Sequence, residues 1–242
     1  MCAGTTRSSP PEVKLGRPLR PFRPSVPGFA DDKAIPRDLE ALVHKFAAQV
    51  HEVAGNRPVI LLGYCSGGLV THALATHLAS IGSAPADVAL IESDIGLTEG
   101  SDPRTIALMS AAPPASGQPA EDEHFADAWL LTACWYVRLF HRWPPGRSNV
   151  PTLLLMGGPT PEMTAADPDR GWRPSWPLPH KVLDVPGDQD TVLTRGRRDN
   201  RFDTCCLDCV IGGHAGRCAL RMIQQKGSAG WSSAGTAIFY RQ

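Results

Sequence analysis

One junction constrains this chain more than any other. Pro58-Val59-Ile60-Leu61-Leu62-Gly63 runs without a charged or polar side chain into Tyr64-Cys65-Ser66-Gly67-Gly68, and helical character follows from Leu69 to Ala79. A continuous apolar run of this length reads as a strand buried on both faces, as in parallel sheets covered by helices. Strand, glycine-rich turn and helix are the order that a nucleophile elbow requires. A turn that sharp puts its central residue in a strained conformation and leaves no room for neighbouring β-carbons, which Gly63, Gly67 and Gly68 satisfy. Cys65 sits at the centre, where the turn lifts its sulfur above the strand end beside a helix N-terminus whose partial positive charge favours thiolate. A thiol depends less on a base than a hydroxyl does, because a few per cent is already ionised near neutral pH. The backbone N–H of Ser66, following the nucleophile, is the expected oxyanion donor, whereas its own hydroxyl is offset by one position from the attacking site.

The rest of the chain repeats the alternation. Leu39, Leu42, Val43, Phe46, Val50 and Val53 recur at helical spacing after Pro36, with Asp38 and Glu40 near the start. Val88-Ala89-Leu90-Ile91, Thr152 to Met156 and Lys181 to Val185 read as three more buried strands. Together these predict an α/β architecture, a mostly parallel sheet with helices on both faces. Between strands, residues 124 to 143 hold Phe125, Trp129, Leu130, Trp135, Tyr136, Leu139, Phe140 and Trp143. They read as a helical cap, spanning about 98–148, over an apolar pocket with Trp129 and Trp135 lining it; ordinary core packing of a helix is the competing reading.

Both ends lack such patterning. Residues 1 to 26 carry Arg17-Pro18-Leu19-Arg20-Pro21-Phe22-Arg23-Pro24 and read as a poorly structured extension, since proline breaks helix and ladder alike. Residues 195 to 242 read as an irregular, cysteine-containing tail. Cys205, Cys206, Cys209, His214 and Cys218 could in principle hold zinc, but no clean pair of CxxC knuckles is present, and unpaired thiols are the simpler reading. Seven cysteines, an odd count, argue against a complete disulfide framework and for reduced thiols.

Composition removes several classes of function. At 242 residues and 42% hydrophobic content, the chain can bury one core, placed at 27–194. With 24 Lys and Arg against 24 Asp and Glu, no global field draws it to nucleic acid or an anionic membrane. Neither a long apolar span nor the apolar stretch of a signal peptide occurs near Met1, so a cytoplasmic location is the expectation.

From about Pro27 to Leu193 the sequence resembles the thioesterase domains of modular polyketide synthases, which have the α/β-hydrolase fold. The likeness rests on Pro27-Gly28-Phe29, Pro36 to Leu42, the elbow, Ala89-Leu90-Ile91-Glu92, Trp172-Arg173-Pro174-Ser175-Trp176 and Val185 to Asp190. The extra strands and oxyanion loop that precede this region in the family, and its closing helix, are not recognisable at either end. The resemblance implies an acyl or polyketide thioester carried on the phosphopantetheine arm of an acyl carrier protein or upstream synthase module, with no cofactor of the enzyme's own. The acyl group would move to the nucleophile and leave by hydrolysis or ring closure. Three positions depart from the usual Ser, Asp and His: Cys65 replaces serine, Glu92 replaces aspartate with Asp94 two residues on, and Gln189 replaces histidine. An amide cannot accept a proton near neutral pH, so Gln189 implies impaired turnover.

Of the eight histidines, His72 and His77 lie on the helix after the elbow and His180 precedes a strand, all unsuited to act as the base. His214, in Gly212-Gly213-His214-Ala215-Gly216, is the best substitute. Two other functions fit parts of the pattern. One is a dienelactone-hydrolase-like ester or lactone hydrolase, disfavoured because Gly157-Gly158-Pro159-Thr160 offers no aspartate after its strand; the other is a non-catalytic hydrolase relic that binds acyl groups.

Overall fold

The computed structural model describes residues 19–24, 26–28, 34–93, 131–132, 134–136, 138–140, 143, 145–158, 176, 178–188 and 235–241. They form a six-stranded sheet: β1 (Leu19–Phe22), β2 (Val59–Tyr64), β3 (Asp87–Ile91), β4 (Thr152–Gly158), β5 (Lys181–Asp188) and β6 (Gly235–Arg241), in the order β1-β6-β2-β3-β4-β5. The four strands expected from apolar runs, β2 to β5, are consecutive neighbours and pair in parallel. The chain has the α/β-hydrolase-type mixed sheet that their alternation with helices predicts.

Two strands were not anticipated. β6 comes from the region read as an irregular tail, and it pairs antiparallel with β2 on one side and β1 on the other. Its Thr, Ile, Phe and Tyr favour strand, but a Ser-, Gly- and Ala-rich stretch just before it hides the boundary. β1, within the presumed extension, holds Pro21 and pairs with β6 alone among the described strands, which suits an edge position where a missing N–H costs no ladder bond.

Helix α1 (Leu39–Ala54) starts where Asp38 accepts a hydrogen bond from the Ala41 N–H at 2.8 Å, which with Arg37 holds the carboxyl below its usual range. Leu42 and Phe46 are fully buried, each contributing about 1.5–3 kcal/mol by leaving water. Helix α2 (Gly67–Ser80) is buried along most of its length, matching its position between the sheet and α1. No described helix is long and apolar enough to cross a membrane.

Residues 131–132, 134–136 and 138–140 are helical, inside the span expected to form the cap. This helix is strapped to the start of the domain by three hydrogen bonds, Thr132 Oγ1 to the Gly28 carbonyl, Trp135 Nε1 to the Pro36 carbonyl and Tyr136 Oη to the Pro27 carbonyl. Tyr136 and Phe140 join the main core. The core-packing reading therefore holds for these two aromatics.

Candidate active site

The elbow forms at the end of β2. Cys65 takes φ +52°, a left-handed conformation that side chains rarely adopt, and is buried. Its N–H still bonds the Ile91 carbonyl of β3 at 2.9 Å, while its carbonyl accepts from Gly68 N–H at 3.0 Å as α2 begins. Ser66 lies at the N-cap of α2 and its side chain makes no cap hydrogen bond. That position places its backbone N–H directly after Cys65, where the donor expected from the sequence would lie.

The glycines are sterically compelled. A β-carbon on Gly63 would fall 2.6 Å from both the Gly68 Cα and the Thr71 Oγ1, and one on Gly68 would fall 2.0 Å from the Ser93 Oγ. The elbow is thus pressed between α2 and the turn after β3.

That second turn mirrors the first. Tyr64 and Ile91 are paired in register, so Cys65 and Glu92 leave adjacent strands at the same level. Glu92 also has a left-handed φ, +49°, and donates its N–H to the Leu155 carbonyl of β4 at 3.0 Å. Its carboxylate is buried and accepts from the Gly157 N–H, beside the register shift between Met156 and Gly158. Ser93, fully buried, donates to the Ile91 carbonyl at 3.2 Å and fills the space against Gly68. β5 ends at Asp188, paired with Gly158, at the same sheet edge. Parallel strands β2 and β3 thus deliver Cys65 and Glu92 to the C-terminal edge, where such sheets build their sites.

Asp94, Trp129, Gln189 and His214 lie outside the described residues, as do Cys205, Cys206, Cys209 and Cys218. Among the described residues, no cluster of three or more His, Cys, Asp or Glu could hold a metal. Trp135 is half-buried, with its indole N–H on Pro36 and Arg138 over its ring.

The described histidines occupy other places. His72 is buried with Nε2 2.9 Å from the Gly146 carbonyl and its ring near Trp143 and Trp176; burial lowers its pKa, the bond to Gly146 opposing in part. His77 packs against the ring of His44. His180 precedes β5, at the sheet edge opposite Cys65, and bonds the Leu178 carbonyl.

Sequence reasoning missed Thr236. On β6, in register with Gly63, its buried hydroxyl donates to the Gly67 carbonyl at 3.2 Å and accepts from the buried Thr71 Oγ1 at 3.3 Å. No local motif marks it; only the pairing of β6 with β2 reveals it.

Comparison with known proteins shows the family of the chain. Residues 24–205 match a family described as thioesterase domain. The spectinabilin polyketide synthase system protein NorC of Streptomyces orinoci is 36% identical over 69% of this chain and 7% of its own length. The erythronolide synthase EryA3 of Saccharopolyspora erythraea is 31% identical over 79% of this chain and 6% of its own. The chain therefore spans under a tenth of the length of these curated relatives. Among solved structures, the NocB thioesterase domain from the nocardicin cluster superposes with a TM-score of 0.55 and 18% identity, covering 77% of this chain and 79% of that one, a likeness of fold.

Proposed function

Because this chain belongs to the thioesterase domain family, enzymes that hydrolyse thioesters, we propose that it releases an acyl or polyketide chain from an acyl carrier protein through an acyl-Cys65 intermediate. The observation that carries the reading is the geometry of Cys65, left-handed and buried at the C-terminal edge of a parallel sheet, directly before the N-terminus of α2. The Cys65 thiolate attacks the thioester carbonyl, the phosphopantetheine sulfur leaves as a thiol by taking up a proton, and the tetrahedral oxygen is held by the Ser66 N–H. Water or a hydroxyl of the chain then attacks the new thioester, and the Cys65 thiol is regenerated.

The same reading gives the other residues their parts. Glu92 or Asp94 supplies the acid, Gln189 takes the place of the base and slows the second step, and Trp129 and Trp135 contribute to the acyl pocket. The polyketide substrate class and a synthase module as partner are supported by the polyketide synthases among the relatives.

Incubation with an acyl-pantetheine thioester, followed by intact mass, tests this directly. An adduct of one acyl group is expected on the wild type and none on Cys65→Ala. An unmodified wild type, or an adduct that survives Cys65→Ala, would overturn the assignment.

A further inference from the structure

The elbow has a weakness that its own sterics create. Gly63, Gly68 and Ser93 leave no space for β-carbons, so α2 opens on Gly67-Gly68, the pair with the greatest backbone freedom a helix start could have. No side-chain cap from Ser66 compensates. Yet this first turn continues directly from Ser66, whose N–H is the expected oxyanion donor and whose value depends on being fixed beforehand.

The fixing group comes from β6, the strand beside β2, on the sheet face that α2 covers. The Thr71 hydroxyl donates to the Thr236 hydroxyl, which donates to the Gly67 carbonyl, a directed chain of two bonds among fully or nearly buried groups. Buried hydroxyl chains polarise along their length, and no water competes for them. Both hydroxyl groups are carried by held backbone: Thr71 lies in the second turn of α2, and Thr236 is locked by the pairing of β6 with β2, where it is in register with Gly63. The carbonyl of Gly67 is thus pinned from outside its own helix.

We propose that Thr236 is a positioning residue for the reaction at Cys65, using its hydroxyl to hold the Gly67 peptide and with it the oxyanion side of the elbow. The inference rests on the reading of Cys65 as nucleophile. Thr236 itself touches neither the sulfur nor the substrate, so its effect falls on the rate of acyl transfer and leaves ground-state binding unchanged.

The test compares wild type, Thr236→Val and Thr236→Ser in single-turnover acylation by an acyl-pantetheine thioester, with thermal denaturation alongside. Thr236→Val, nearly the same shape without the hydroxyl, is expected to lower the maximal acylation rate by about tenfold, the scale of one well-placed hydrogen bond, with half-saturation unchanged. Thr236→Ser should recover most of the rate. A folded Thr236→Val that acylates at the wild-type rate, or a loss that Ser does not repair, overturns the proposal. Should Thr236→Val not fold, Thr236→Ala removes the same hydroxyl; a slower maximal rate supports the assignment and an unchanged one overturns it. Iodoacetamide alkylation of Cys65, which develops no oxyanion, separates the two levels: if wild type alkylates but never acylates, the assigned function fails, while a Thr236→Val variant that loses alkylation and acylation rate equally places the effect on the sulfur and overturns the positioning role.

Discussion

At the scale of single residues, the proposed reaction turns on Gln189. Thiol-for-thiol exchange needs little proton management, so acylation of Cys65 proceeds without a base. Release is different, since the attacking water or hydroxyl must lose a proton, a step where general-base help is typically worth about 10²- to 10⁴-fold. Wild type should therefore accumulate the acyl adduct, and Gln189→His should shorten its lifetime by up to about 10²-fold, read by intact mass after a pulse of thioester. Equal lifetimes, together with a longer one in His214→Ala, would move the base to His214. The placement of Cys65, Ser66 and Glu92 at strand ends was legible because each belongs to a local pattern there. Thr236 was not, because its role depends on a partner 169 positions away.

Between elements, the closest fit is that of Gly68 against Ser93. An added β-carbon at 68 meets Ser93 Oγ at 2.0 Å and Ser93 Cβ at 2.5 Å, and a short, fully buried side chain has no room to swing aside. Gly68→Ala should cost about 1–3 kcal/mol, the usual range for overpacking, in urea denaturation. Ser93→Gly in that background should restore part of it, giving a non-additive double-mutant cycle. Additive effects would mean that the turn after β3 does not bear on the elbow. The parallel strands were legible for the same steric reason that makes this region tight: a strand buried on both faces must be apolar throughout, as Val59 to Leu62 and Val88 to Ile91 are. β1 and β6 carry no such signature, since proline interrupts one and small polar residues precede the other.

Across the whole molecule, His72 makes stability depend on pH. Its folded pKa is lowered, chiefly by burial, so the unfolded chain binds the extra proton first as pH falls. The stability it contributes is intact above the unfolded value of about 6.5 and declines below it, toward the lower folded value. Urea midpoints should therefore fall between pH 7.5 and 5.5, and His72→Gln, which can still donate to Gly146, should flatten that slope. An unchanged slope would assign the acid sensitivity to His77, whose pKa is also lowered, burial first and His44 next. The insertion of β6 between β1 and β2 has a consequence in time. At about 5–20 residues per second of synthesis, the 169 positions from Gly67 to Thr236 take roughly 8 to 34 s to emerge. During that interval the edge of β2, buried along its length in the finished fold and followed directly by Cys65, has no β6 to close it. A nascent chain of this protein is thus most prone to association just before its last described strand arrives, and a chaperone that shields the β2 edge for those seconds would raise the yield of folded enzyme.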